Sequence, residues 1–116
     1  MRLEVLPGLF SVCRLAADAP VPSSFFSLTR TAEELSVVCA AGSEPSGGRV
    51  ESGWSCLRVA GTLDFALTGI LASIASPLAR EGVSIFALST FDTDYVLVRE
   101  IEKAREALRS AGFVVT

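Results

Sequence analysis

The sequence contains no histidine, and this absence excludes several kinds of active site. Ser-His-Asp triads and Cys-His pairs need an imidazole as base, and many zinc sites need one as ligand. Cysteine is scarce as well: Cys13, Cys39 and Cys56 are widely spaced and form no Cys-x-x-Cys pair. We interpret them as small buried residues of a reducing compartment, with a three-cysteine metal site or a redox pair as the alternative. The sequence thus favours a protein that is not an enzyme and uses no metal or other cofactor.

Long apolar runs are also missing. None reaches the roughly 18 residues that a membrane-spanning helix requires. The start, Met1–Glu4, brings an early acid, and no small-residue cleavage site follows a long apolar stretch, so no signal peptide is expected. The 10 Lys and Arg against 13 Asp and Glu argue against binding to nucleic acid phosphates. The sequence therefore predicts a cytoplasmic protein with no membrane and no nucleic acid partner.

What is present is enough apolar material to build a core, since 50% of the 116 residues are hydrophobic. The first forty residues alternate strand formers with turn residues. They predict strands over Leu3–Leu6, Phe10–Leu15, Phe25–Arg30 and Leu35–Ala40. Thr31 and Glu34 have capping-box spacing, in which Thr31 would accept from the Glu34 amide, and one helical turn fits before Leu35. The Gly- and Ser-rich residues 41–53 then predict a linker or a long surface loop.

The second half alternates strands with two amphipathic helices. One helix opens at Thr68 and Gly69 and ends before Gly82, and the other runs from Glu100 to Ala111 before Gly112. The predicted strands are Trp54–Ala60, Val83–Ser89, Tyr95–Arg99 and Phe113–Val115. This βαββαβ order predicts an α+β, ferredoxin-like domain with an antiparallel sheet and both helices on one face. Either the β-rich first half or a second protomer would cover the other face, and the halves divide as residues 1–52 and 53–116.

Two segments are unusually polar for their positions, Gly61–Gly69 before the first helix and Ser89–Asp94 between two apolar strands. A helix N-terminus offers free amides and partial positive charge to a carboxylate or phosphate. The alternative is that Thr68 only caps the helix and Gly69 only permits close packing. For the second segment, the alternative is a polar hairpin in which Asp92 and Asp94 satisfy turn amides. Phe91 fits a pocket or an interface better than a solvated loop tip.

These two segments carry a family resemblance. Gly61–Ala72 and Ile85–Val98, above all the run Ser-Thr-Phe-Asp-Thr-Asp-Tyr at 89–95, resemble the ACT-domain proteins, and more narrowly a small bacterial subgroup related to eukaryotic cytosolic arginine sensors. The resemblance spans residues 54–116 and is looser over 1–53, where the family places a degenerate ACT-like half. The ACT pattern Asp-x-x-x-Pro-Gly corresponds to Asp64–Gly69, with Thr68 at the proline position.

The resemblance implies a non-catalytic regulatory sensor that binds a free amino acid at an interface between ACT modules of a homodimer or higher homo-oligomer. The α-carboxylate would bind the helix N-terminus, and Asp94 or Asp92 would pair with the α-ammonium. The hydroxyls of Thr90 and Thr93 would make the remaining hydrogen bonds, and Phe91 would wall the pocket. The alternative is a ligand-free ACT-like assembly module. The predicted ligand-binding residues are Asp64, Thr68, Gly69, Ile70, Ser89, Thr90, Phe91, Asp92, Thr93 and Asp94.

Overall fold

The computed structural model describes residues 1–64 and 66–116. Phe65, a member of the polar segment Gly61–Gly69, lies outside the described residues. The strands are β1 (Arg2–Val5), β2 (Phe10–Leu15), β3 (Ser27–Arg30), β4 (Leu35–Ala40), β5 (Arg49–Val59), β6 (Ile85–Ser89), β7 (Asp94–Val98) and β8 (Val114–Val115). The helices are α1 (Ile70–Arg80) and α2 (Ile101–Ser110). The predicted βαββαβ order of the second half is therefore confirmed, and the fold is α+β.

The chain divides into two compact units. Unit 1 comprises residues 1–7 and 55–116, and unit 2 comprises residues 8–54. Strand β5 crosses from one unit to the other, so its last residues belong to unit 1. The predicted halves, 1–52 and 53–116, differ from these units mainly in residues 1–7, which pack with the second half of the chain.

The sheet of unit 1 has the strand order β6–β7–β5–β1–β8. Strand β1 lies between β5 and β8, antiparallel to the first and parallel to the second, with Leu3 opposite Val59 on β5 and Val115 on β8. The prediction of a wholly antiparallel sheet is therefore wrong at one pair of strands. The N-terminal strand takes the place beside β5 that a ferredoxin-like sheet would give to the final strand.

Both helices pack on one face of this sheet, as predicted. Ile74 and Leu78 of α1 and Ala104 and Leu108 of α2 are buried in one apolar cluster with alternate residues of the strands. The strand members of that cluster are Leu3, Leu57, Val59, Val96, Val98 and Val115. Period-2 strands and period-3.6 helices thus present their apolar sides to a common core.

Both helices end where glycine allows it. Gly82 (φ 72°) follows α1 and Gly112 (φ 98°) follows α2, in the left-handed region that side chains disfavour. After each glycine, the next amide bonds back to a carbonyl of the last helical turn, from Val83 to Leu78 at 2.9 Å and from Phe113 to Leu108 at 3.0 Å. This is the Schellman pattern that the two glycines predicted.

Unit 2 is a sheet of order β3–β4–β2–β5 with its own small core of buried residues. The predicted linker 41–53 is wrong over its last five residues, because Arg49–Gly53 extend β5 and Val50 lies opposite Cys13 of β2. These residues are exposed, so no apolar alternation marks them as a strand. Pairing with β2 decides their conformation.

The Thr31 prediction is half right. Its hydroxyl accepts from the Glu34 amide at 3.2 Å, as a capping box requires, and from the Glu33 amide at 3.1 Å. The turn of helix expected after Thr31 does not form, since these residues connect β3 directly to the antiparallel β4. The same side-chain chemistry caps a hairpin loop here.

The loop between β4 and β5 is held to β2 by Glu44. The Glu44 carboxylate accepts from the buried Ser11 hydroxyl at 2.6 Å and from the Gly42 amide at 3.0 Å. The Ser11 hydroxyl, together with backbone amides, lowers the pKa of Glu44 below its ordinary value. The ionised form therefore stabilises the folded state above about pH 4.5, and this contribution is lost as the pH falls through the lowered pKa.

We expect acid to weaken the unsubstituted protein more than a Glu44→Gln variant. The free energy of unfolding, measured in urea at pH 6 and pH 3, should fall further for the unsubstituted chain, because the variant has no carboxylate at this position to protonate. Glu33→Gln, which removes an exposed carboxylate of unit 2, is the control and should behave as the unsubstituted protein. An equal acid loss in the Glu44→Gln variant would contradict the role given to this contact.

Candidate ligand-binding site

The two polar segments of unit 1 line one open cavity of about 320 Å³. Segment 61–69 connects β5 to α1, and segment 89–94 connects β6 to β7. The lining residues in the described chain are Leu63, Asp64, Leu67, Gly69, Ile70, Leu71, Ser89, Thr90, Phe91, Asp92, Thr93 and Asp94. Both segments lie at one end of the sheet, so the fold brings together residues about 25 positions apart in sequence.

The first wall of the cavity leads into helix α1. Asp64 accepts from the Ala66 amide at 2.8 Å, which fixes the start of the loop as an Asx turn. Gly69 is the N-cap of α1 with φ 76°, and no described side chain caps the helix. A Cβ at Gly69 would have nothing within 4 Å, so positive φ, and not close packing, explains the glycine. The first turn of α1 therefore borders the cavity, and no described side chain caps its amides.

The second wall is a tight hairpin loop organised by threonines. The Thr90 amide donates to the Thr93 carbonyl at 2.8 Å, and the Thr90 hydroxyl accepts from the Thr93 amide at 3.4 Å. Asp94 accepts from the Ser89 hydroxyl at 2.6 Å. The predicted alternative, in which aspartates satisfy the turn amides, gives way to a turn that Thr90 stabilises.

Two hydrogen bonds tie the walls of the cavity together. The Leu63 amide donates to the Asp92 carbonyl at 2.7 Å, which joins the first segment directly to the second. The Thr93 hydroxyl donates to the carbonyl of Val59, the last residue of β5, at 2.7 Å. The relative position of the two walls therefore depends on the backbone contact at Asp92 and on the side-chain contact of Thr93 with the end of β5.

The cavity combines negative charge with exposed apolar side chains. Asp64, Asp92 and Asp94 line it, and no lining residue of the described chain is cationic. Phe91 is 78% exposed and Leu67 is 55% exposed, although both are large and apolar. Exposed apolar groups beside a polar cavity are typical of a surface that a ligand or another chain covers.

Nine of the ten predicted ligand-binding residues line this cavity, and Thr68 does not. Thr68 lies exposed beside Gly69, and among the described residues its hydroxyl makes no capping hydrogen bond to α1. Leu63, Leu67 and Leu71 line the cavity and were missed. Leu63 and Leu67 lie in segment 61–69 and Leu71 lies in the first turn of α1, and polar chemistry alone does not point to any of them.

A larger groove of about 440 Å³ lies along the outer sides of the two helices. Arg80, Glu81, Lys103 and Glu106 line it, so its charges alternate in sign as on an ordinary solvated helix face. The described residues contain no group of three or more potential metal ligands, and no described helix is long and apolar enough to cross a membrane.

All three cysteines are buried free thiols, as predicted. Burial raises the pKa of Cys56 to about 12. Burial, followed by the neighbouring Cys13 thiol, raises the pKa of Cys39 to about 11. Because the thiolate is the reactive form, these positions are chemically inert at neutral pH.

Comparison with known families agrees with this architecture. The sequence model of the ACT domain matches residues 49–110, more than half of the chain. The chain belongs to the ACT domain family. A second family model, for an N-terminal domain, matches residues 8–46, which lie within unit 2. The family resemblance noted in the sequence is thereby confirmed. The ACT match begins at residue 49, within unit 2, and continues through most of unit 1.

Relatives of this ACT protein include both small and large chains. Protein Atu0741 from Agrobacterium tumefaciens has a crystal structure with a TM-score of 0.91 and 40% identity, covering 99% of this chain and 91% of that one. The human cytosolic arginine sensor for mTORC1 subunit 1 is 36% identical over 95 residues, 73% of this chain and 29% of that protein. The chain thus spans less than a third of the length of this curated relative.

Aspartate kinase from Clostridium acetobutylicum, described as an allosteric enzyme, has the same fold at 16% identity and a TM-score of 0.67. The similarity covers 89% of this chain and 33% of the kinase. The ACT fold of this chain therefore also occurs as one part of a larger, regulated enzyme.

Proposed function

We propose that this ACT protein is a non-catalytic regulatory module that binds a free amino acid in the cavity of unit 1. The observation that carries the proposal is the meeting of the α1 N-terminus with carboxylates and hydroxyls around one cavity. An amino acid is a zwitterion, so its site needs an anion-binding group and an anionic group a few ångströms apart. The cavity offers both from two adjacent loops.

In the proposed pose, the α-carboxylate of the ligand binds the first-turn amides of α1, at Gly69 and Ile70. Asp94 or Asp92 pairs with the α-ammonium. The hydroxyl oxygens of Ser89 and Thr90, whose hydrogens bond Asp94 and the Thr93 carbonyl, accept the remaining hydrogen bonds of the ammonium. A hydrogen bond to a charged group contributes about 1.5–3 kcal/mol. Three or four of them supply the roughly 8 kcal/mol of a micromolar site.

We further propose that a second ACT module covers the cavity in a homodimer or higher homo-oligomer. The exposure of Phe91 and Leu67 at the rim supports this, because burial of such side chains favours association. The name of the human relative, a cytosolic sensor, supports a cytoplasmic and regulatory role. The downstream partner would be a protein that senses the liganded form.

Arginine is the first ligand to test. The lining of the cavity carries three carboxylates and, in the described chain, no cationic side chain, which favours a ligand with positive charge beyond its α-ammonium. The relative named as an arginine sensor points the same way. L-citrulline, which has nearly the shape of arginine without its charge, provides the matched comparison.

The test is a thermal-shift screen of the purified protein against the twenty amino acids and L-citrulline at millimolar concentration. A ligand at a hundredfold excess over its Kd stabilises the folded state by about 2.7 kcal/mol. For a domain of this size, that corresponds to a rise in Tm of several degrees. A flat response to every amino acid would contradict the sensor function.

Asp94→Ala is expected to weaken the response to the amino acid that binds, raising its Kd about tenfold or more, because the ammonium loses a charged partner. Asp18→Ala is the matched control, since Asp18 is an exposed aspartate of unit 2 outside this cavity. Isothermal titration calorimetry measures the Kd of both variants for comparison. Unchanged affinity in the Asp94→Ala variant would assign the ammonium to Asp92 or reject the pose, and Asp92→Ala separates these outcomes.

A ligand-free assembly module is the second candidate, and strand β6 favours it. Among the described strands β6 pairs only with β7, and its residues Ile85–Ser89 include no charged side chain. An uncharged edge strand can pair with a second copy. Sedimentation that shows a dimer unaffected by any amino acid, together with a flat thermal screen, would support this function over the sensor.

A further inference from the structure

Thr93 differs from the other hydroxyl residues of the cavity because it is buried. Its exposed fraction is 3%, whereas Ser89 and Thr90 are exposed. Its hydroxyl donates to the Val59 carbonyl at 2.7 Å, and Val59 is itself buried in the core of unit 1. A threonine hydroxyl has a single hydrogen to donate, and here that hydrogen is used on the backbone.

We propose that Thr93 is a positioning residue, which sets the geometry of the ligand site by fixing segment 89–94 to the end of β5 and donates no hydrogen bond to the ligand. The proposal rests on the proposed function and changes the role predicted for Thr93 from the sequence. The arrangement of both cavity walls thus depends on the side chain of Thr93.

The hydrogen bonds around Thr93 explain how one side chain acts on the whole site. The Thr93 carbonyl accepts from the Thr90 amide at 2.8 Å and from the Thr90 hydroxyl at 3.2 Å. The turn is therefore anchored to Thr93, which is itself held to β5. Asp92 and Asp94 flank Thr93 in sequence, and the Asp92 carbonyl accepts the Leu63 amide. A shift of Thr93 would therefore move both carboxylates and loosen the contact with the first wall.

The test uses Thr93→Val, which keeps the shape and removes the hydroxyl, and Thr93→Ser, which keeps the hydroxyl. In Thr93→Val we expect the Leu63 amide to exchange with solvent about tenfold faster or more. Amides of the central strands, such as Leu57 and Val98, should exchange at rates set by global unfolding. In Thr93→Ser, protection of the Leu63 amide should return, which a loss of packing alone would not predict.

The second arm measures binding of L-arginine by isothermal titration. Thr93→Val should lose about tenfold or more in affinity, and Thr93→Ser should retain it. If L-arginine fails to bind the unsubstituted protein, the sensor proposal is tested by the amino-acid screen, while the exchange of Leu63 still decides the role of Thr93. Unchanged Leu63 exchange and unchanged arginine affinity in Thr93→Val would each overturn the positioning role.

A measurement on the unsubstituted protein covers the case in which Thr93→Val does not fold. The Thr93 hydroxyl proton, held against the buried Val59 carbonyl, should exchange slowly enough with water to give its own proton resonance. Rapid exchange of this proton, or its transfer to a bound amino acid on titration, would reject the proposal without any variant.

Discussion

Replacing Leu3 by alanine is expected to lower the free energy of unfolding by about 2–5 kcal/mol, the range for a fully buried leucine. Leu3 is 1% exposed and packs in the core of unit 1 with Val59 and Val115. It lies in β1 between β5 and β8, so its side chain packs between those of Val59 and Val115 in the core. Urea unfolding, monitored by circular dichroism, measures this free energy.

The matched control is Leu9→Ala, the same chemical change at a leucine that is 51% exposed. It should alter the free energy of unfolding by about 0.5 kcal/mol or less, as surface substitutions do. Equal effects of the two substitutions would contradict the placement of β1 inside the sheet of unit 1. A chain whose β1 stayed outside the sheet would tolerate the loss of Leu3 as easily as that of Leu9.

The pairing partners of strand β1 could not be predicted from the sequence. Val5 donates to the carbonyl of Thr116, and Thr116 donates to the carbonyl of Leu3, so the two ends of the chain lie side by side. Apolar alternation predicts a strand near Leu3–Leu6, but it does not say which strand becomes the neighbour. Pairing between positions more than a hundred residues apart depends on loop closure and competition among strands.

Local signals were sufficient where the deciding contacts are local. Strands β2 and β4 match their predicted ranges, and the glycines after both helices close the turns as predicted. The first five residues of β5 are different, because no apolar alternation marks them and their pairing with β2 decides their conformation. Periodicity reports burial, and an exposed strand therefore escapes it.

At the candidate site, too, the residue types could be predicted from the sequence and the long-range contacts could not. The residue types in segments 61–69 and 89–94 identify both walls of the cavity, because acidic and hydroxyl side chains cluster in both segments. The Thr93 contact with Val59 and the Leu63 contact with Asp92 could not be predicted, since each depends on the register of separate elements. These contacts decide which side chains face a ligand and which only support those that do.

Alkaline conditions are expected to destabilise the protein through its buried thiols. Cys56 is 0% exposed, and burial raises its pKa from 9.0 to about 12. Between these values the unfolded chain loses the thiol proton while the folded chain keeps it. The stability that is present below pH 9 is therefore lost as the pH rises toward 12, by about 1.4 kcal/mol per pH unit for this thiol.

The measurement is urea unfolding at pH 8 and pH 10.5 for the unsubstituted protein and for Cys56→Ala. The variant is less stable at pH 8, because it leaves a small cavity, but its loss between the two pH values should be smaller by about 2 kcal/mol. Val59→Ala is the control on the same strand, since it removes buried apolar volume and no titrating group. It should lower the free energy of unfolding equally at both pH values. An alkaline loss in Cys56→Ala as large as in the unsubstituted chain would show that this thiol already ionises in the folded protein, and burial would then have failed to exclude water from β5.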